Sequence, residues 1–299
     1  MSFTDFFWTS FEGLPLHARD YAPIGEAQKL PVICIHGLTR NARDFEDLAP
    51  RIAATGRRVL AVDVRGRGLS ARDPNPMNYH PGTYAADVVA LLQAAGIERA
   101  VFIGTSMGGL ITMVLTSIQP EAIAAVVLND VGPELSPVGL ARIAGYTGMA
   151  SRFETWDEAV AYARKINEAA FPDYGPQDWD AFARRLFDET DGAFVLAYDP
   201  DIAASIKAAA EAQQAAQDAG GQALAPPDMY PLFRALAKGR PILLVRGGIS
   251  DLIDPAIAER MQAAAPHMTY AEVANTGHAP MLTEPQAWAA LENLLETAP

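Results

Sequence analysis

Positive charge is scarce in this chain, cysteine is nearly absent, and long apolar runs are missing altogether. Lys and Arg number 23 against 36 Asp and Glu, a net charge of −13. Nucleic-acid binding is excluded on that balance, because neutralising phosphates needs a basic face. The same deficit leaves nothing to hold an anionic membrane surface. The single Cys34 rules out an intrachain disulfide and any CxxC-type zinc site. It lies inside an apolar run, which marks it as a small core residue. No window approaches the roughly 18 apolar residues of a membrane span. The opening MSFTDFFWTSFEGL has no basic stretch leading into an apolar one, so it does not read as a signal peptide, and a cytoplasmic protein is expected. What remains is 299 residues, half apolar and a fifth charged, enough to bury one large core.

Strand and helix patterns alternate along most of the chain. Phe6 to Ser10 and Leu16 to Tyr21 flank Glu12-Gly13 as a hairpin, and LPVICIHG reads as a strand buried on both faces. RRVLAVDVRG, AVFIGTS, AIAAVVLND, RPILLVRGG and MTYAEVAN repeat that strand signature. Helical patterns separate them, at residues 47–55, 84–96, MGGLITMVLTSIQP, PAIAERMQAAAP and EPQAWAALENLLETA. Such alternation implies right-handed crossovers and a mostly parallel sheet flanked by helices. Residues 132–237 break the rhythm. They are alanine-rich and helical in pattern, without a convincing buried strand. Residues 151–220 hold 14 Asp and Glu against 6 Lys and Arg, or −8 of the chain's −13. This excursion is expected to form a helical cap over the carboxyl ends of the strands, inserted in a core made of residues 1–131 and 238–299. Ala208 to Pro227 reads as a helix running into a Gly/Pro loop.

Gly104-Thr105-Ser106-Met107-Gly108 fits G-x-S-x-G and falls directly between a strand and a helix. The glycines permit a tight turn with close neighbours, and the strained turn presents the Ser106 hydroxyl at the tip of the sheet. A serine hydroxyl needs a base. Of the five histidines, His17 lies in the hairpin, His36 reads as structural, and His267 follows a helix end. His278, in NTGHAPMLTEP just beyond the last strand, shares a sheet edge with Ser106 and is the expected base. For the acid, Asp251 after PILLVRGG is favoured, since a carboxylate there can orient the imidazole. Asp254 is better explained as a helix cap. Asp130, at the end of VVLND, is the rival. An oxyanion hole is expected from the backbone N–H groups of Leu38 and Met107.

At these residues the sequence resembles the α/β-hydrolase superfamily, and within it the small capped bacterial esterases, lactonases and carbon–carbon bond hydrolases. ICIHGLTRN, AVDVRGRGLS, FIGTSMGGL, LLVRGGISDLID and NTGHAPMLTEP carry the resemblance. It implies an α/β-hydrolase fold, a nucleophile at Ser106, an acid at Asp251, a base at His278 and oxyanion donors at Leu38 and Met107. It also implies that the Asp63-to-Ser70 turn is structural. An aspartate nucleophile, as in haloalkane dehalogenases and epoxide hydrolases, is excluded by Ser106. The activity expected is hydrolysis of a carboxylic ester or lactone without metal or organic cofactor. A carbon–carbon bond hydrolase acting on a β-diketone-like ring-cleavage product is the alternative, and a non-catalytic small-molecule receptor on the same fold stands further off. The substrate is expected to be small, neutral and partly apolar, with Phe153, Trp156, Phe171, Trp179 and Phe194 of the cap offering pocket surface.

Overall fold

A computed structural model describes residues 2–25, 29–149, 151–218 and 227–299. A hairpin, β1 (Thr4–Thr9) and β2 (Pro15–Tyr21), leads into β3 (Val32–Ile35), α1 (Leu48–Ala53) and β4 (Val59–Asp63). There follow α2 (Pro81–Ala94), β5 (Ala100–Thr105), α3 (Met107–Ile118) and β6 (Ile123–Asn129). Next come α4 (Pro137–Tyr146), β7 (Arg152–Phe153), α5 (Trp156–Asn167), α6 (Pro176–Leu186), β8 (Phe187–Thr190) and β9 (Ala193–Leu196). Helices α7 (Ala204–Asp218) and α8 (Tyr230–Ala237) lead back to β10 (Ile242–Gly247), α9 (Pro255–Ala264), β11 (Thr269–Val273) and α10 (Pro285–Thr297).

Eight strands form one sheet in the order β1-β2-β4-β3-β5-β6-β10-β11. β1 pairs antiparallel with β2 and β2 antiparallel with β4, and from β4 across to β11 every pairing is parallel. The period-2 rule explains why the central strands are apolar at every position. Ile33, Ile35, Phe102, Val126 and Leu244 face the layer of α2 and α3, while Val32, Cys34, Val101, Val127 and Leu243 face α1 and α10. Cys34 is fully buried, and burial pushes its thiol well above the ordinary value, which keeps it an inert core group.

Between β6 and β10 the chain leaves this sheet, forming the inserted cap. It is not wholly helical. β7, β9 and β8 pair antiparallel in a small sheet of their own, formed from strands of two to four residues that are half exposed. Strands this short and wet carry no apolar run for a pattern to detect. Helix α8, which the expected boundary at residue 237 assigns to the cap, packs on α3 through buried Phe233 and Leu236. The helix expected from Ala208 is the later part of α7, and the Gly/Pro loop after it, at 219–226, lies outside the described residues. Among the described residues no helix is long and apolar enough to cross a membrane.

Helix α3 lies so close beneath the sheet that backbone meets backbone. A Cβ on Gly108 would fall inside the contact distance of the Ile35 carbonyl, and one on Gly104 would collide with the Gly108 and Gly109 main chain. Gly108→Ala should therefore force a backbone shift costing about 3 kcal/mol. Tm should drop by roughly 5 °C by calorimetry. Unchanged stability would mean that α3 is free to move away from β3.

Candidate active site

Ser106 stands between β5 and α3 with φ 52° and ψ −116°, a left-handed conformation that costs a non-glycine residue energy. Its surroundings over-determine it. Its N–H donates to the Asn129 carbonyl at 3.0 Å, and its carbonyl accepts from Gly109 N at 2.9 Å, the first turn of α3. The side chain is thus held off the end of the sheet, at the positive end of a twelve-residue helix.

The loop between β11 and α10 brings His278 to it. His278 Nε2 lies 2.9 Å from Ser106 Oγ, and His278 Nδ1 lies 2.7 Å from Asp130 Oδ2. A carboxylate accepts only, so Nδ1 carries the proton and donates to Asp130. Nε2 is left with a lone pair facing the serine hydroxyl. Asp130 is fully buried, and its carboxylate also accepts from Gly247 N at 3.0 Å and from Ser250 Oγ at 2.5 Å. The arrangement can take the proton of Ser106 as its oxygen attacks, and the fixed carboxylate can stabilise the imidazolium that results.

Sequence reasoning favoured Asp251 as the partner of His278, and the structure places that residue elsewhere. Arg142 of α4 holds the Asp251 carboxylate bidentately, Nε at 2.5 Å and Nη2 at 2.8 Å. That guanidinium holds the Asp251 carboxyl below its ordinary range, more than partial burial raises it. The rival aspartate sits against the imidazole instead. Both follow strands of the sheet, and Asp251 is engaged by a cap arginine that no core motif reveals. Ser250, beside Asp251 and bonded to Asp130, was likewise missed.

Leu38 lines the same pocket as Ser106, and Met107 follows Ser106 directly in the chain. Met107 opens α3, so its N–H has no acceptor within its own helix. The Gly37 carbonyl accepts from His36 Nδ1 at 2.7 Å, and in a trans peptide the following N–H, that of Leu38, points the opposite way. Gly37 itself is close to Ser106, since a Cβ there would lie 3.7 Å from the serine Cβ. Arg67 braces the same loop, donating from Nε to the Leu38 carbonyl at 3.0 Å. His36 accepts from Val64 N through Nε2 at 3.1 Å, which requires a neutral ring. Burial, the largest cause, lowers its pKa to about 4, so it stays neutral and structural as expected.

The pocket over Ser106 is walled by the core loops and by the cap, with Ile143 and Tyr146 from α4 and Phe171 and Phe182 further along. Of the cap aromatics expected to line it, Phe171 does. Phe153 packs on Tyr162 and Phe187, Trp156 on Phe194, and Trp179 on Phe182 and Tyr174, all within the cap's own core. Arg40 also lines the pocket, but Asp44 holds its guanidinium at 2.5–3.1 Å and Phe182 stacks beneath it. Among the described residues no group of three or more His, Cys, Asp or Glu could hold a metal ion.

A mostly parallel eight-stranded sheet with a serine on its strand-to-helix turn and a histidine beyond its last strand defines an α/β hydrolase. The family profile for the alpha/beta hydrolase fold matches residues 31–285, and the chain belongs to that family. It is 34% identical over 275 residues to the 3-hydroxybutyrate-oligomer hydrolase of Cupriavidus necator, covering 90% of each chain. With the 2-(acetamidomethylene)succinate hydrolase of Mesorhizobium japonicum it shares 26% identity over 83% of this chain and 81% of that one. The crystal structure of an α/β hydrolase from Novosphingobium aromaticivorans superimposes with a TM-score of 0.87 at 44% identity, over 99% of both chains.

The two aspartates separate in one experiment. Asp130→Asn should favour the wrong imidazole tautomer and lower kcat on a simple ester by about 10⁴, the loss known from the serine-protease arrangement. Asp251→Asn should cost less than roughly tenfold in kcat, because it removes a surface-accessible ion pair and leaves the imidazole its partner. The opposite ranking would return the acid to Asp251.

Proposed function

We propose that the protein hydrolyses carboxylic esters through a covalent acyl intermediate on Ser106. The observation that carries this reading is the hydrogen-bonded chain Ser106–His278–Asp130, at 2.9 and 2.7 Å, beneath a pocket open to a small molecule. His278 Nε2 takes the hydroxyl proton as Oγ attacks the ester carbonyl. The tetrahedral oxygen receives the N–H groups of Leu38 and Met107, and His278 returns the proton to the leaving alkoxide. Water, activated by the same imidazole, then releases the acid and restores the serine. Every step uses protein groups and water, and none calls for a metal or organic cofactor.

The substrate favoured is a small ester with short apolar groups, among them an internal ester of a short hydroxy-acid oligomer. Two features support it. The chain matches the oligomer hydrolase named above over nine-tenths of its length. The pocket's arginine is also matched by Asp44, so a dianionic substrate gains little there. A lactone of similar size meets the same requirements.

Ser106→Ala should leave the far-UV circular dichroism unchanged and lower kcat on ethyl butyrate and on a 3-hydroxybutyrate dimer by on the order of 10⁶. A variant keeping a tenth of wild-type turnover would remove Ser106 from the chemistry.

A further inference from the structure

Helix α4 delivers Ile143 and Tyr146 to the wall of the pocket that holds Ser106 and His278. Three contacts fix that helix on the loop after β10. Ser136 N donates to the Leu252 carbonyl at 2.9 Å, Gly139 sits against the Asp251 and Leu252 backbone with no room for a Cβ, and Arg142 grips Asp251. The loop is the one whose Ser250 hydroxyl donates to Asp130. Tyr146 is therefore registered against the catalytic acid rather than carried on a loose lid.

Arg142 also lies within electrostatic reach of the Tyr146 phenol. A phenol donates as well as accepts, so the Tyr146 hydroxyl can give its proton to an acceptor in the pocket that it lines. Burial, the larger cause, raises this phenol above its ordinary pKa against the opposing pull of Arg142, so it is a protonated donor at neutral pH. The charges around it are matched, Arg142 by Asp251 and Arg40 by Asp44. A lone hydroxyl donor in charge-balanced surroundings suits a neutral acceptor such as an ester carbonyl better than an anion, whose desolvation no free cation would offset.

We propose that Tyr146 is a specificity-determining residue whose hydroxyl donates a hydrogen bond to a second, non-reacting ester carbonyl of the substrate. The Arg142–Asp251 pair acts as its positioning device. This rests on the ester-hydrolase reading and goes beyond it by naming what the substrate carries besides the scissile bond.

The test compares the methyl ester of a 3-hydroxybutyrate dimer, neutral with two carbonyls, with ethyl butyrate, which has one. Proton release in a pH-stat gives kcat/KM for each. The ratio of the two should fall about tenfold in Tyr146→Phe, the size of one good hydrogen bond. The loss should fall mainly on KM. Arg142→Gln and Asp251→Asn should each lower the same ratio, and their double variant should lower it no further than the worse single one, as expected of partners in one contact. Variants with intact melting transitions and an unaltered ratio would overturn the proposal. So would a loss seen only with the free-acid dimer, because the acceptor would then be a carboxylate. Wild-type protein inert toward both esters would refute the ester-hydrolase reading itself, and activity with an unaltered ratio would refute this proposal alone.

Discussion

The buried Asp130 carboxylate is the point from which the rest of the site is hung. A charge with no solvent exposure survives only where donors surround it, and here three donors come from two separate pieces of chain. Gly247 ends β10, Ser250 lies in the loop after it, and His278 belongs to the loop after β11. Each bond satisfies the anion and at the same time locates a loop. The imidazole is set at hydrogen-bond distance from Ser106 because the carboxylate cannot move without stranding a charge. Ser106 is immobile for a different reason, the absence of room between α3 and β3.

From the same carboxylate a second set of contacts runs outward to the cap. Ser250 is followed by Asp251, which grips α4 through Arg142, and the His278 loop receives the cap through Gly277 N bonded to the Ala170 carbonyl at 2.7 Å. On the far side Asn41, in the loop that carries Leu38, donates to the Arg185 carbonyl at 2.7 Å. The cap is thus fastened to each of the three loops that surround the Ser106–His278–Asp130 chain. In the mechanism proposed here the core loops supply the reacting groups, and cap residues such as Ile143 and Tyr146 wall the pocket above them.

How much of this was legible in the sequence follows from how local each signal is. Parallel strands buried on both faces are continuous apolar runs, so LPVICIHG and AIAAVVLND announce themselves. Ser106 sits in a five-residue pattern between a strand and a helix, and His278 directly follows the last strand. Both signals are contained in one stretch of chain. The acid is not local. Asp130 directly follows β6 while Asp251 lies in the loop after β10, and the structure sets Asp130 against the imidazole while Arg142, 109 residues away from Asp251 along the chain, holds Asp251. Within the cap, aromatic residues are the natural candidates for pocket walls, yet Phe153, Trp156, Trp179 and Phe194 pack on other aromatics, and Tyr146 of α4 lines the site instead. Nothing in a helical pattern tells which face a cap helix will turn toward a core it meets only on folding.

The central claim is that Ser106 forms the covalent intermediate. Incubation with an alkyl phosphonate ester, a mimic of the tetrahedral state, followed by peptide mass spectrometry tests it most directly. The expected result is one phosphonyl group per chain, on Ser106, with esterase activity lost in proportion to its incorporation. Full activity in quantitatively labelled protein, or complete inactivation with the label on another residue, would contradict it.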